Sequence, residues 1–173
     1  MTRSTNVWFH TIIERSIPVQ LETFTDLIAQ VTARVAGKPL GEALQCELNQ
    51  GLPPASEGYQ EIFSACRAAI EAGWMCNREG GGIKFGRVIK PSPRTHGFSV
   101  DVVEMKDIVG PHHSHPNGEV DLIMPLTPGA QFDNHGAGWC VYGPGSAHRP
   151  TVTAGRALVL YLLPEGKIEF TKG

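Results

Sequence analysis

Residues 110–119 read GPHHSHPNGE and contain three of the seven histidines in the chain. Successive side chains of a β-strand point to opposite faces, so His113 and His115 would lie on the same face. Asn117-Gly118 is a dipeptide typical of two-residue hairpin turns. Such a turn would begin a new strand at Glu119, folded back beside the histidine pair. The stretch therefore predicts two imidazoles and one carboxylate that converge on one point of a β-fold.

Residues 142–148 read YGPGSAH, in which turn residues precede a single histidine. A strand that re-enters the fold there would bring His148 to the same point. Three neutral imidazoles and a carboxylate suit Fe(II), Mn(II), Zn(II), Ni(II) or Cu(II), with positions left for water or substrate. We predict a divalent transition metal site formed by His113, His115, Glu119 and His148, and the sequence does not select the metal. A solvated histidine-rich turn without a metal is the competing interpretation.

The other histidines give weaker signals. His112 is expected to face away from the metal, because it alternates with His113 along a strand. His135 lies in a turn-like stretch and is expected at the surface. His10 and His96 have no partners nearby in the sequence, and we expect each to be structural or exposed.

A change from helical to β patterning near residue 80 predicts the fold class. Before it, apolar residues recur with helical spacing and indicate three helices, over Pro18–Val35, over Glu42–Asn49 and from an N-cap at Ser56 to Gly73. After it, short β-rich runs alternate with turn residues, which favours an antiparallel sandwich or barrel. These runs are Lys84–Ile89, Gly97–Met105, Val120–Pro125, Gly138–Tyr142 and Arg156–Leu163. We predict an α+β protein in which a helical segment over residues 1–79 packs on a β-barrel over residues 83–173.

Composition argues against several classes of protein. The 173 residues suffice for one ordinary domain, 41% of them are hydrophobic, and the net charge is −2. We expect neither nucleic acid nor membrane as a partner, because there is no basic stripe and the apolar run Ala157–Leu163 is far shorter than the ~20 residues of a membrane helix. No secretory signal is visible, and the four cysteines form no Cys-x-x-Cys pair, so we expect reduced thiols in a cytoplasmic protein. Cys66 falls on an apolar helix face and is expected in the core.

The spacings His113-x-His115-x3-Glu119 and Gly143-x-Gly145-x2-His148 resemble the two sequence motifs of the cupin superfamily. The resemblance implies that the barrel is a double-stranded β-helix, the cupin jelly roll, and that these three histidines and the glutamate are its metal ligands. Departures from the usual motifs concern turn positions and leave the ligand set complete.

A longer series of motifs resembles the bacterial 4-hydroxylaminobenzoate lyase family, small cupin-like proteins of nitroaromatic catabolism. The series runs from about residue 20 onward and includes Glu71-Ala-Gly-Trp74, Lys84-Phe85-Gly-Arg87, Gly97-Phe-Ser-Val100, the two histidine motifs, Gly138-Trp139 and Leu160–Gly166. The resemblance implies that 4-hydroxylaminobenzoate and water are converted to protocatechuate and ammonium. The atoms balance without an external oxidant or reductant, so neither NAD nor flavin is required, and no G-x-G-x-x-G fingerprint is present.

This implied chemistry suggests roles for two carboxylates. The N–O bond must break, and hydroxide is a poor leaving group, so a Lewis-acidic metal or a proton donor has to stabilise the developing charge. Glu119 is expected either to bind the metal or to act as a catalytic acid or base. Asp121 shares the strand face of Glu119, and a second pocket carboxylate and a charge at the barrel mouth are equally consistent with its position.

A benzoate substrate needs a cation and apolar walls. Arg87 is the first candidate to bind the carboxylate, because guanidinium and carboxylate pair in a bidentate geometry, and Arg149 is the second. Trp139 and Tyr161 lie in late strands and are candidates to contact the aromatic ring, although core positions would suit them as well.

Two other functions fit the same motifs. One is a different metal-dependent cupin enzyme, such as a non-haem Fe(II) dioxygenase or an isomerase, which oxygen consumption with a catechol or diketone would reveal. The other is a non-catalytic small-molecule-binding cupin, which would bind a ligand tightly without turnover. We also predict a homodimer, because open barrels leave strand edges that partners cover and two-fold dimers are common.

Overall fold

Three helices begin the part of the chain that the computed structural model describes, residues 20–172. They are α1 (Leu21–Val35), α2 (Glu42–Gly51) and α3 (Glu57–Glu71), each with one buried apolar face, as the periodicity predicts. The start of α3 is confirmed, because the hydroxyl of Ser56 accepts a hydrogen bond from the backbone N–H of Tyr59 at 3.3 Å. Pro18, where we expected the first helix to open, lies outside the described residues.

Ten strands follow within residues 20–172. They are β1 (Arg78–Gly80), β2 (Ile83–Ile89), β3 (Phe98–Val109), β4 (His113–His115), β5 (Glu119–Pro125), β6 (Gln131–Phe132), β7 (Gly138–Tyr142), β8 (Ser146–His148), β9 (Thr151–Pro164) and β10 (Glu169–Phe170). One sheet has the order β1-β2-β3-β9-β5-β7 with β6 paired to β9, the other has the order β10-β4-β8, and all pairings are antiparallel. The α+β architecture with an antiparallel jelly-roll barrel is therefore confirmed.

Two apolar cores lie on opposite faces of the large sheet. The outer face packs against the helices through alternate strand residues, among them Val100, Val102, Val120, Leu122, Leu158, Leu160 and Leu162. The inner face fills the barrel with the residues between them, among them Met105, Ile123, Val159, Tyr161 and Leu163. Strand alternation therefore decides which side chains can reach a site inside the barrel. Cys66 lies fully buried in the helix-side core, as predicted, and the four cysteines are free thiols.

Two turns that contain glycine decide how the strands beside them pair. Gly81 and Gly82, both with positive φ, connect β1 and β2 as a hairpin, so strand pairing already begins at Arg78. The division of the chain at residues 79 and 83 stays a prediction. The hairpin predicted at Asn117-Gly118 is wrong: the turn is present, with Gly118 N–H donating to the His115 carbonyl at 3.1 Å, but β4 and β5 belong to different sheets. The chain crosses there from one sheet to the other.

Helix α2 covers the open edge of β7. The side-chain amide of Asn49 donates to the Trp139 carbonyl at 2.8 Å and accepts from the Trp139 N–H at 2.9 Å, and Gln45 accepts from the Val141 N–H at 2.9 Å. Gly138 allows this approach, since a Cβ there would lie 2.5 Å from the Asn49 side-chain oxygen. These side chains form hydrogen bonds with backbone groups of the β7 edge that could otherwise pair with a strand of another molecule.

Within residues 20–172, none of the helices combines the length and the apolar character required to cross a bilayer.

Candidate metal centre

Four side chains from three strands converge at one end of the barrel. Ligand atoms of His113, His115, Glu119 and His148 lie within 4.8 Å of one another. His113 and His148 face each other across the β4–β8 pair, and His115 lies one side-chain repeat further along β4. Glu119 starts β5 on the neighbouring sheet, so the crossing turn, and not a hairpin, brings the carboxylate to the histidines. The predicted ligand set is brought together in full.

Each histidine is held through its Nδ1 atom, which directs Nε2 to the centre of the cluster. Nδ1 of His113 donates to the Pro111 carbonyl at 3.2 Å, and Nδ1 of His148 donates to the Asp133 carboxylate at 2.5 Å. Nδ1 of His115 lies 3.0 Å from the Ser146 hydroxyl. Anchoring of this kind orients imidazoles toward a metal. For His113 and His148, whose partners accept, it also favours the tautomer whose Nε2 lone pair is available.

The inward nitrogens need a cation between them. Burial lowers the pKa of His113 to about 4 and that of His115 to about 3, so both rings are neutral at pH 7. Nε2 of His113 lies 3.0 Å from Nε2 of His148, and both rings already use their Nδ1 protons elsewhere. Either a proton or a metal ion must therefore separate the two nitrogens.

Unpaired polar atoms around this point favour the metal. Within the described residues, Nε2 of His115 and both carboxylate oxygens of Glu119 are buried without a hydrogen-bond partner. Nε2 of His115 lies 3.2 Å from one Glu119 oxygen, and Nε2 of His148 lies 3.9 Å from the other. A single proton cannot satisfy all of these atoms, whereas an ion with nitrogen and oxygen ligands can. The residues present fit a divalent transition metal.

A second carboxylate lies beside the cluster. Asp121 is fully buried on the inner face of β5, and neither of its oxygens has a hydrogen-bond partner within residues 20–172. Burial raises the pKa of both Glu119 and Asp121. Of the two placements considered for Asp121, the structure supports the interior one and excludes an exposed charge at the barrel mouth.

A cavity of about 510 Å³ opens beside the cluster and contains two of the predicted substrate-binding residues. His113, Arg87 and Tyr161 all line it, and most of the remaining wall is apolar, with Ile83, Phe85, Val103, Met105, Leu163, Ile168 and Phe170. Nε of Arg87 donates to the Asp101 carboxylate at 3.0 Å, and Nη2 donates to the Gly166 carbonyl at 3.0 Å. Arg78 is a second guanidinium on this wall.

The other predicted contacts lie elsewhere. Trp139 is on the outer face of the sheet, in the helix-side core, where its indole N–H donates to the Leu52 carbonyl at 3.0 Å. The structure does not bring it to the cluster, because it alternates with the inward-facing Cys140 on β7. Arg149 is exposed and is not among the described residues that line the cavity. A second cleft, of about 570 Å³, lies between α3 and the sheet and does not reach the cluster.

The remaining histidines follow the predictions where the structure describes them. His135 and His96 are exposed, and His112 turns away from the cluster, with Nδ1 2.5 Å from the Thr171 hydroxyl. His10 lies outside the described residues. The anchoring role of Asp133 was not predicted, because this residue and His148 are separated by 15 positions and no local pattern in the sequence links them.

Comparison with known proteins identifies the family. A family model described as 4-hydroxylaminobenzoate lyase matches residues 26–170. A protein from Nocardioides sp. (strain LMS-CY) with that name is 32% identical over 139 residues, covering 75% of this chain and 82% of the relative. One from Pseudomonas putida with the same name is 32% identical over 155 residues, covering 80% and 88%.

Solved structures with detectable similarity are remote. An RmlC-like cupin protein from Ralstonia eutropha has a TM-score of 0.42 and 10% identity, covering 54% of this chain and 62% of its own. The DMSP lyase DddQ from Ruegeria pomeroyi has a TM-score of 0.35 and 19% identity, covering 84% and 76%. The family match spans nearly all of the described residues, and both curated relatives agree with it. This chain therefore belongs to the 4-hydroxylaminobenzoate lyase family and is an enzyme of the lyase class.

Proposed function

We propose that this protein converts 4-hydroxylaminobenzoate and water to protocatechuate and ammonium at a metal site formed by His113, His115, Glu119 and His148. The observation that carries the proposal is the convergence of these four ligands beside a largely apolar cavity, in a chain of this family. The two curated relatives carry the name of this activity.

The reaction balances internally. The N–O bond breaks with its electron pair on the departing oxygen, which takes up a proton. An oxygen of water then adds to the ring carbon next to the carbon that carries nitrogen, and the hydrogen there leaves as a proton. That ring carbon is oxidised by two electrons from C–H to C–O, while nitrogen is reduced by two electrons from the hydroxylamine to the amine level. Water supplies the oxygen that replaces nitrogen on the neighbouring ring carbon, and nitrogen leaves as ammonia, which takes up a proton. Neither NAD nor flavin is needed, and we propose that none takes part.

We propose that a buried carboxyl group, that of Glu119 or Asp121, transfers the protons in this reaction. A divalent metal held by the four ligands would supply Lewis-acid stabilisation of the charge that develops as the N–O bond breaks. Burial raises the pKa of Glu119, so a proton on this carboxyl persists at higher pH than on an exposed one. We propose Glu119 as the catalytic acid or base where it is free of the metal. Where Glu119 is a ligand, Asp121 is the adjacent buried carboxyl that remains for this step.

The cavity is suited to a small aromatic carboxylate. Its apolar residues exclude water from an aromatic ring, and the Phe170 ring stands 5.7 Å from that of His113 at the end nearest the cluster. Tyr161 lies between Asp101 and Asp121 in the strand pairing and faces the same space. We propose that Tyr161 contacts the substrate and that Arg87 binds its carboxylate, since Asp101 and Gly166 hold this guanidinium on the cavity wall. Trp139 is left out of the proposed site because it lies on the other face of the sheet.

The test is an anaerobic assay of the purified protein, with its bound metals measured by mass spectrometry in the same sample. We expect protocatechuate and ammonium in equal amounts without oxygen, and loss of both after chelation with recovery on adding metal. His113→Ala should abolish turnover, whereas His112→Ala, at the neighbouring outward-facing position, should retain it.

Other outcomes would point to the alternatives. Stoichiometric metal without product, together with oxygen consumption on a catechol or diketone, would favour another metal-dependent cupin enzyme. Tight ligand binding without turnover, and without metal, would favour a non-catalytic binding protein. Either result would contradict the proposed lyase reaction.

We further propose that the protein acts in the cytoplasm and as a homodimer. The Asn49 and Gln45 contacts already cover the β7 edge, so an interface is expected at another surface of the barrel. Light scattering after size-exclusion chromatography should give twice the mass of one chain, and a monomer mass would contradict the dimer. Fractionation of the native host would test the location.

A further inference from the structure

Asp133 lies outside the four-ligand cluster but is bonded directly to one of its histidines. Its carboxylate accepts three hydrogen bonds, from Nδ1 of His148 at 2.5 Å, from the Tyr142 hydroxyl at 2.7 Å and from the Thr151 backbone N–H at 2.8 Å. The Asp133 backbone N–H also donates to the Thr151 carbonyl at 2.9 Å. The residue follows β6 with φ of 47°, a left-handed conformation that Asp tolerates better than most residues. Both its backbone and its side chain are therefore fixed against the start of β9.

The Asp133 carboxylate differs in chemical character from the groups that anchor the other two histidines. The Pro111 carbonyl that accepts from His113 is neutral and belongs to the backbone. The Ser146 hydroxyl beside His115 can donate or accept, so it does not dictate the tautomer of that ring. An ionised carboxylate can only accept, so Asp133 requires a proton on Nδ1 of His148 and leaves Nε2 as a lone pair.

Both oxygens of the Asp133 carboxylate are engaged in hydrogen bonds that fix its orientation. The Thr151 N–H donates to one oxygen, and Nδ1 of His148 lies at the other. Tyr142 therefore has a role in the same network, because its hydroxyl donates to the same oxygen that holds His148.

We propose that Asp133 is a positioning residue that fixes the Nδ1-protonated tautomer and the orientation of His148, so that Nε2 is presented to the metal. The inference rests on the proposed metal site for its purpose, but the tautomer itself can be measured without any metal. Asp133 is not among the described residues that line the cavity, and it contacts His148 at Nδ1 and not at the inward Nε2, so it acts through the orientation of His148.

The first experiment uses long-range ¹H–¹⁵N NMR spectra of the metal-free full-length protein at about pH 9, well above the ordinary pKa of imidazole. We expect the His148 ring to carry its proton on Nδ1. In Asp133→Asn the side-chain oxygen can still accept from Thr151 while the amide N–H₂ faces His148, so we expect the proton to move to Nε2. A wild-type ring protonated on Nε2 would overturn the proposal, even if the variant does not fold.

The second experiment measures metal affinity by competition with a chelator. Loss of a partner that orients a metal-binding histidine typically weakens binding by about 10–100-fold, and we expect this for Asp133→Asn. Ser146→Ala removes the neutral anchor of His115. Tyr142→Phe removes one donor to Asp133 but keeps the ring that lies 4.7 Å from the His148 ring, so both variants should weaken binding less. Equal affinity in Asp133→Asn and wild type would contradict the proposal.

The two readouts separate this inference from the proposed function. If the wild type binds no metal, the lyase site fails, whereas the NMR spectra still decide whether Asp133 sets the tautomer. If the wild type binds metal and turns over substrate but Asp133→Asn keeps the wild-type tautomer, only the role of Asp133 is lost. A melting temperature measured for each variant checks that the fold is retained.

Discussion

The hydrogen-bond partners of Arg87 affect its guanidinium group in two opposing ways. Asp101 and the Gly166 carbonyl occupy its Nε and Nη2 atoms, which orders the guanidinium but also offsets its charge. Asp101 is itself half-buried, and burial raises its pKa although Arg87 and Ser99 act in the opposite direction. Arg78 lines the same cavity at the outer strand and forms no ion pair with any residue in the described range 20–172. Two guanidinium groups, those of Arg87 and Arg78, thus line the cavity.

We predict that Arg87→Met lowers kcat/KM for 4-hydroxylaminobenzoate roughly 10–100-fold, because a hydrogen-bonded charge pair contributes about 1.5–3 kcal/mol. The loss should appear mainly in KM, since the carboxylate is remote from the N–O bond. The same variant should act on phenylhydroxylamine, which lacks the carboxylate, as well as the wild type does.

Arg78→Met is the matched control and should change kcat/KM much less. If Arg78→Met instead shows the large loss and Arg87→Met does not, the anchor is Arg78 and the assignment of Arg87 is wrong. Because Arg87→Met leaves Asp101 without its partner, thermal unfolding of both variants should accompany the kinetics.

Helices α2 and α3 support the candidate site by holding the large sheet in place. Helix α3 is tied to β5, the strand that carries Glu119 and Asp121, by a buried hydrogen bond from the Tyr59 hydroxyl to the Ile123 carbonyl at 2.7 Å. Helix α2 contacts β7 through Asn49, and β7 is the edge strand that pairs with β5. The helices therefore support the back of the sheet whose inner face carries the candidate site.

Tyr59→Phe should lower the free energy of unfolding by about 0.5–1.5 kcal/mol near pH 7, the usual contribution of one hydrogen bond. Burial raises the pKa of Tyr59 to about 12, so the unfolded chain ionises this phenol above pH 10 while the folded chain does not. Wild-type stability from this group is therefore complete below about pH 10 and declines toward pH 12. The difference between wild type and variant should shrink over that interval.

Urea unfolding of the metal-free protein at neutral and alkaline pH would test this prediction. Glu61→Gln, an exposed change on the same helix, should leave the difference from wild type the same at every pH. A Tyr59→Phe difference that stays constant between pH 10 and 12 would show that the phenol is not protected from ionisation by burial.

The four side chains of the candidate site come from strands of both sheets, so occupation of the site would affect the stability of the whole fold. His113, His115 and His148 belong to the small sheet, and Glu119 belongs to the large one. An ion bound by all four would therefore link the two layers of the barrel. Binding to the folded state alone stabilises it by mass action.

Metal at about 100 times its Kd should raise the free energy of unfolding by about 2.7 kcal/mol, which corresponds to roughly 5–11 °C in melting temperature for a domain of this size. Chelation should remove this increase. The shift should vanish in His113→Ala and persist in His112→Ala, and differential scanning fluorimetry would measure it. A shift that survives in His113→Ala would place the ion outside the four-ligand cluster.

Local sequence patterns were enough to predict the three helices and the five longest strands, and to select the four residues of the histidine and glutamate cluster. Both depend on short-range regularities: the helical period of α1 and α3, the two-residue alternation that puts His113 and His115 on one face, and the Ser56 cap. The spacing from His115 to Glu119 also implied that a turn would bring the carboxylate close. A local pattern is enough for such inferences, because strand and helix geometry are the same in every fold.

The sheet that each strand joins, and the distant residues that it meets there, depend on the fold as a whole. The dipeptide Asn117-Gly118 predicts a hairpin, yet the chain there crosses between sheets, and β5 pairs with β7 and β9. Trp139 is placed among the helices by its face of β7, and Asp133 reaches His148 although 15 positions separate them. Pairing and packing are settled by the burial of whole apolar faces, a property of the assembled sheets that no short stretch of sequence contains.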